Sequence, residues 1–160
     1  MASTKAISEA GTWSPQGEFP TSSPGARTLS RLLRSKDISL ARASRRIEAG
    51  LPFRLFAELA GKLDLTYVSL AAYLRISEST LYRRKAAGRF DSTESDRLWR
   101  YLVLYGSAVE VLESEAAAVE WLSASLKSLG GTSPLAVSRN GPGATRALAV
   151  LGRIEHGVFG

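Results

Sequence analysis

The chain has 160 residues, of which 44% are hydrophobic, enough for the core of one domain of usual size or of two small ones. No apolar run approaches the roughly 20 residues that cross a bilayer, and residues 1–25 lack the apolar segment of a signal peptide, so we expect no membrane contact. The chain contains no cysteine, which excludes disulfides and thiolate metal sites, and we therefore expect a cytoplasmic protein.

Positive charge is concentrated in the first two thirds of the chain. The formal net charge of +6 comes from residues 1–64, with 10 cations and 6 anions, and residues 65–105, with 7 cations and 4 anions. Residues 106–160 hold 4 cations and 5 anions. The front of the chain is therefore suited to a polyanion, and the rear to a protein surface.

The N-terminal third is predicted to contain a tail followed by helices. Residues 1–25 are rich in Ser, Pro and Gly and poor in apolar residues, which predicts a flexible tail. Helices are predicted over residues 26–34 and 40–49; Gly50 ends the second, and Pro52 begins a third. The apolar face of the third helix consists of Leu51, Leu55, Phe56, Leu59 and Leu63. We interpret residues 26–64 as a region that forms a dimer contact, with this third helix and its basic neighbour as the candidates.

Residues 65–106 are predicted to form a DNA-binding region built on a helix-turn-helix. Its apolar positions recur at helical spacing on both sides of a turn, at Leu70, Ala71, Leu74, Ile76 and Leu81. Ser77 suits the N-cap of the second helix. Two positions depart from the usual pattern: Arg75 occupies the turn position where Gly is common, and Arg84 stands where an apolar residue is expected.

The second helix of this motif has a polar and cationic exposed face. Its first turn would enter the major groove, where Ser79 and Arg83 reach base edges while neighbouring cations hold phosphates. The predicted DNA-binding residues are Ser77, Ser79, Thr80, Tyr82, Arg83, Arg84 and Lys85. Between Arg75 and Arg89, five cations stand against one carboxylate, which favours a polyanionic partner. The alternative is a three-helix globular segment with a solvated basic face.

The rest of the chain is also predicted to be helical. One helix is expected over residues 91–105, capped by Ser92 or Thr93, and another over residues 116–126. Gly130 and Gly131 interrupt the pattern, residues 139–143 are predicted to be a loop, and a last helix is predicted over residues 144–154. No segment alternates as a strand does. We therefore predict an all-α fold, with a helix-turn-helix bundle followed by a small helical C-terminal domain over residues 107–160.

No residue pattern indicates an enzyme. His156 is the single histidine, and without cysteine or a cluster of carboxylates it does not predict a metal site. Glu113, Glu115 and Glu120 are typical of a solvated helix face. Gly-Pro-Gly at 141–143 lacks the Lys-Ser/Thr pair of a P-loop. We expect no catalytic residues, no cofactor and no metal.

Five segments in this order resemble the Xre/ParS-type antitoxins that are paired with RES-domain toxins. They are Ser-Thr-Leu-Tyr-Arg-Arg-Lys at 79–85, Ser-Asp-Arg-Leu at 95–98, Ala-Val-Glu-Trp-Leu at 118–122, Leu-Gly-Gly-Thr-Ser-Pro-Leu at 129–135 and Leu-Gly-Arg-Ile-Glu-His-Gly-Val-Phe at 151–159. One departure is residues 125–128, where the family often has an Asn-rich or Asn-Pro helix end. The resemblance covers residues 65–160.

The resemblance implies an operon-encoded antitoxin with two partners. Its N-terminal part would bind the double-stranded DNA of its own promoter, as a homodimer within the toxin–antitoxin complex. Its C-terminal domain would cover the active site of a RES toxin, an enzyme that acts on NAD. The residues predicted to enter that cleft are Arg153, Ile154, Glu155, His156, Gly157, Val158 and Phe159, which supply a cation, apolar anchors and a flexible backbone.

Two other functions fit the same residues. One is a stand-alone helix-turn-helix repressor whose C-terminal domain dimerises or senses a ligand. The other is a protein–protein adaptor with a vestigial helix-turn-helix. A RES-domain gene directly beside this one would distinguish the antitoxin from both.

Overall fold

The computed structural model describes residues 40–157, with the side chain of Leu40 excepted. The predicted tail, the predicted helix over residues 26–34, and Val158 and Phe159 lie outside the described residues. The helices are α1 (Leu40–Ala49), α2 (Phe53–Lys62), α3 (Tyr67–Tyr73), α4 (Glu78–Ala87), α5 (Ser92–Leu112), α6 (Glu115–Ser123), a 3-10 turn (Lys127–Leu129), α7 (Pro134–Val137) and α8 (Gly141–Glu155). Within residues 40–157 only isolated β-bridges occur, which confirms the all-α prediction.

The chain divides into two compact units, and the division falls inside α5. One unit ends at Ser95 and the other begins at Asp96. Each has its own buried side chains and is described separately below.

An aromatic cluster forms the centre of the first unit. The rings of Phe53, Phe56, Tyr67 and Phe90 lie with centroids 5.3 to 5.7 Å apart. Separations of this size suit edge-on and offset ring contacts. Around them the apolar face of α2 is fully buried, at Leu51, Leu55, Phe56, Leu59 and Leu63. The apolar side chains predicted for this helix are therefore covered by the chain's own core, and the dimer contact predicted for the helix and its basic neighbour stays a prediction.

The helix-turn-helix consists of α3 and α4. The Thr66 side chain caps α3 by accepting a hydrogen bond from the Ser69 amide. Arg75 takes the left-handed conformation at the turn, with φ of 55°. Its neighbour Ile76 donates its amide to the Ala71 carbonyl at 2.9 Å, closing the end of α3. Ser77 then caps α4, as predicted, by accepting from the Thr80 amide.

Helix α5 begins with a different cap from the predicted one and runs further. Asp91, not Ser92 or Thr93, accepts from the Glu94 amide at 2.8 Å, while the Glu94 carboxylate accepts from the Asp91 amide at 3.0 Å. This reciprocal pair is a capping box. The helix continues past the predicted end at residue 105 to Leu112, because no proline interrupts it and Ala108 is buried. Glu113, with φ of 55°, follows its last residue.

The second unit packs short helices around the C-terminal helix. Tyr101 on α5 is buried and donates its hydroxyl to the Leu135 carbonyl at 2.9 Å. Ser133 caps α7, which packs against both α6 and α8. The predicted loop over residues 139–143 is wrong in its second half: Asn140 caps α8, which starts at Gly141. A Cβ at Gly143 would lie 1.7 Å from the Val137 carbonyl oxygen, so glycine is needed there.

Candidate nucleic-acid interface and C-terminal helix

Helix α4 presents one polar and cationic face to solvent. Ser79, Tyr82, Arg83 and Lys85 are exposed, whereas Leu81 on the opposite side is buried. Tyr82 is 41% exposed, a large aromatic side chain on the outside of the molecule. Ser79, Tyr82 and Arg83 lie at spacings of three and four residues, which places them side by side along the helix.

Lys85 is held over an aromatic ring. Its ammonium nitrogen lies 5.6 Å from the centroid of the Tyr67 ring, on the first turn of α3. At this distance the ammonium is attracted by the ring face. Burial raises the pKa of the Tyr67 phenol above its ordinary value, so the ring stays neutral at physiological pH. The contact fixes where Lys85 presents its charge.

Ser77 and Thr80, both predicted to contact DNA, form hydrogen bonds that cap the first turn of α4. Ser77 Oγ accepts from the Thr80 amide at 3.3 Å and donates to Thr80 Oγ1 at 3.0 Å. Ser77 Oγ also lies 3.2 Å from the hydroxyl of Ser79. The three hydroxyls therefore form one connected group on the first turn, and that turn is the part of a recognition helix that faces base edges.

Arg84 has a different environment from its neighbours. Its Nε donates to Glu94 Oε2 at 2.6 Å, and a terminal nitrogen donates to Asp91 Oδ2 at 2.9 Å. The hydrogen bond to Glu94, followed by the attraction of both carboxylates, raises the pKa of the guanidinium. Arg84 is thus bound to the capping box of α5, whereas Arg83 lies on the exposed face of α4. The unexpected cation at this position has carboxylate partners.

Arg89, two residues beyond α4, is also engaged within the molecule. A terminal nitrogen donates to the carbonyl oxygens of Ala49 and Gly50, each at 2.8 Å. The neighbouring backbone pairs too, since Phe90 N donates to Leu51 O at 3.0 Å and Phe53 N to Gly88 O at 2.9 Å. Of the five cations between residues 75 and 89, Arg84 and Arg89 therefore hold the fold.

The structure shows part of the predicted C-terminal plug as helix. Arg153, Ile154 and Glu155 form the last turn of α8, with Arg153 and Glu155 exposed and Ile154 half-buried. His156 and Gly157 follow, exposed, and Gly157 has φ of 67°. The end predicted for the last helix, at residue 154, is confirmed to within one residue, and the role of residues 153–159 in a toxin cleft stays a prediction.

The described residues contain no group of three or more His, Asp or Glu side chains placed to hold a metal ion. None of their helices is long and apolar enough to span a membrane.

Two adjoining family models match the chain. An antitoxin Xre-like helix-turn-helix domain matches residues 42–103, and an antitoxin Xre/MbcA/ParS C-terminal toxin-binding domain matches residues 107–157. Together they cover more than two thirds of the chain. The chain belongs to the Xre family of antitoxins. The first match contains α1 to α4 and the capping box, and the second contains α6 to α8.

Individual relatives agree with these matches. Antitoxin Xre of Yersinia enterocolitica serotype O:8 / biotype 1B is 36% identical over 84 residues, which are 52% of this chain and 57% of that protein. Antitoxin Xre of Photorhabdus laumondii subsp. laumondii is 29% identical over 80 residues, 48% of this chain and 54% of that protein. The chain thus spans a little over half the length of these relatives.

Sequence reasoning missed the pair of carboxylates that holds Arg84. The signal was available, because an acidic residue followed three positions later by Glu at the start of an apolar helix is the pattern of a capping box. Ser95 was also missed. It is fully buried, and its hydroxyl accepts from the Leu51 amide at 2.7 Å, which ties the start of α5 to the segment before α2.

Proposed function

We propose that this Xre-family chain is an antitoxin that binds its own operon promoter and sterically blocks a RES-domain toxin that degrades NAD. The observation that supports this most directly is the presence of an Xre-like helix-turn-helix domain and a toxin-binding domain side by side in one chain. In this proposal the chain performs no catalysis and holds no cofactor.

The DNA half of the proposal rests on the exposed face of α4. Ser79 and Arg83 contact base edges, Lys85 holds a phosphate, and Tyr82 packs against the sugar–phosphate backbone. Ser77 and Thr80 fix the first turn through the N-cap. We propose a supporting role for Arg84 in place of the predicted phosphate contact, because Glu94 and Asp91 already occupy its guanidinium.

The toxin half rests on the end of α8. Arg153 supplies a cation, and half-buried Ile154 an apolar contact, on one helical turn. Together with residues 155–159 they fill a cleft that accepts a phosphate-bearing dinucleotide. Filling such a cleft excludes the substrate and requires no reactive group from this chain.

We also propose a homodimer within the toxin–antitoxin complex. Helix-turn-helix proteins read two half-sites about one helical turn apart, which a two-fold dimer matches. The apolar face of α2 is not available for this contact, so residues outside it supply the interface.

Two binding measurements on the full chain test this proposal. Fluorescence anisotropy with a duplex from the region upstream of the gene should show binding that weakens as salt rises, because cations displace counterions from phosphates. Co-expression with the product of the adjacent reading frame should give a stable complex if that product is a RES-domain protein. Binding to neither partner would refute the proposal.

A further inference from the structure

Helix α1 carries three arginines on one flank. Ala43 is buried and Ile47 half-buried on its inner side, whereas Arg42, Arg45 and Arg46 are exposed. At about 100° per residue, the three arginines fall within an arc of roughly 100° on one side of the inward positions. The one carboxylate of this helix, Glu48, lies about 60° beyond Arg45, on the side away from Arg42 and Arg46. We call Arg42, Arg45 and Arg46 the α1 basic flank.

The α1 basic flank is fixed relative to the proposed recognition helix. Arg89 lies two residues beyond α4 and donates to the carbonyl oxygens of Ala49, the last residue of α1, and of Gly50. The approach is close, because a Cβ at Gly50 would lie 2.3 Å from the Phe90 carbonyl oxygen. Direct hydrogen bonds therefore hold the end of α1 to the end of α4, and a displacement of one requires a displacement of the other.

Local charge balance does not account for this flank. Arginine in the last turn of a helix stabilises the negative end of the helix dipole. Here Arg89 already donates to the last carbonyl oxygen of α1, at Ala49, and to that of Gly50, which follows the helix. Glu48 follows Arg45 by three residues and can balance one charge, so the side chains of α1 keep an excess of two positive charges, which favours a polyanion.

We infer that the α1 basic flank is a second phosphate-binding surface, which contacts the backbone of the same duplex that α4 reads. This inference rests on the proposed DNA binding and adds to it a contact outside the helix-turn-helix. We expect the α1 basic flank to raise the affinity for DNA without changing the preference for a particular sequence, because phosphate contacts carry no base information.

The test measures how duplex affinity depends on salt. Arg45→Ala/Arg46→Ala is compared with the unaltered full chain by anisotropy on the upstream duplex and on an unrelated duplex of equal length. Loss of two phosphate contacts should make the slope of log affinity against log salt shallower by about 1.8, and lower affinity at 0.1 M salt by about tenfold or more on both duplexes. Alanine favours helix, so circular dichroism should be unchanged.

Two controls separate charge from other effects. Arg45→Lys/Arg46→Lys keeps both charges and should retain most of the salt slope. Lys127→Ala removes an exposed cation from the second unit and should leave the salt slope unchanged. A slope unaltered in the alanine variant, while the unaltered chain binds, overturns the inference but not the proposed function. An alanine variant that keeps the slope and no longer co-purifies with the toxin assigns the flank to an acidic protein surface, and also overturns it. An unaltered chain that binds no duplex refutes the proposed DNA binding itself.

Discussion

Adjacent arginines on α4 have opposite roles. Arg83 is exposed on the proposed DNA face, whereas Arg84 donates to Glu94 and Asp91. In the sequence both belong to one cationic run. Which of the two is engaged within the molecule becomes clear only when the partners of each side chain are known. The carboxylates that decide the role of Arg84 lie seven and ten residues further along the chain.

This difference predicts opposite phenotypes for two alanine variants. Arg83→Ala should leave thermal stability unchanged and weaken binding to the upstream duplex by about 1 to 3 kcal/mol, with a smaller effect on an unrelated duplex, because Arg83 is proposed to contact a base edge. Arg84→Ala should lower thermal stability, because it leaves the Glu94 carboxylate, which is 10% exposed, without its cation. Thermal unfolding and anisotropy on both variants check this. Equal loss of stability in the two would contradict the assignment.

Two tyrosines of α5 form a second contrasting pair. Tyr101 donates to the Leu135 carbonyl, whereas the buried Tyr105 hydroxyl has no hydrogen-bond partner within residues 40–157. A buried hydroxyl without a partner costs about 1 to 3 kcal/mol. Tyr105→Phe should therefore stabilise the protein by about 1 kcal/mol, and Tyr101→Phe should destabilise it by a similar amount. Urea unfolding measures both, and a destabilised Tyr105→Phe would show that the hydroxyl is satisfied.

The same tyrosine predicts an alkaline loss of stability. Burial, and secondarily the negative charge of Glu115, raise the pKa of the Tyr105 phenol well above its ordinary value of 10.0. The folded state therefore keeps the proton while the unfolded chain releases it near pH 10. The free energy of unfolding is therefore unaffected by this group below pH 10 and falls as the pH rises further. Tyr105→Phe should remove part of the fall, and Tyr67, whose pKa is also raised by burial, should contribute to what remains.

At the scale of elements, local signals predicted the helices well where capping and breaking residues are strong. The limits of α1, the Ser77 cap of α4 and the burial of Leu70, Ala71, Leu74 and Leu81 are all confirmed. Errors occurred where tertiary contacts decide. The sequence shows that the apolar face of α2 is buried, but not whether it packs into the chain's own core or against a second copy. Gly-Pro-Gly at 141–143 is typical of a loop, but Asn140 caps it as the first turn of α8.

The packing of α8 on α7 gives a prediction for two glycines. Gly143→Ala would place Cβ 1.7 Å from the Val137 carbonyl oxygen, so α8 must move, at a cost of about 1 to 3 kcal/mol or more. Gly152→Ala meets nothing within 4 Å and should stabilise α8 by about 0.5 to 1 kcal/mol, because alanine has the better helix propensity. Thermal unfolding checks the order of the two variants. We expect Gly143→Ala to weaken toxin binding and leave duplex affinity intact.

At the scale of the whole molecule, the proposed two partners correspond to two compact units and two family matches. The uneven charge predicted this separation, since the cations concentrate before residue 106. The structure refines how the C-terminal plug should be removed. A deletion from residue 151 would take away buried Leu151, whereas a chain that ends at Glu155 keeps all of α8. Arg153→Ala in the chain that ends at Glu155 removes the proposed cation as well and keeps α8, so it separates blocking of the toxin from folding of the domain.

The most direct test is the NAD content of cells that express the RES-domain toxin proposed to be the partner of this antitoxin, with and without the full chain. We expect the toxin alone to deplete NAD and stop growth, and the full chain to restore both. Arg83→Ala should restore them equally well, because its proposed role is confined to DNA. Cells in which NAD stays depleted, although the full chain is expressed and folded, would contradict the account.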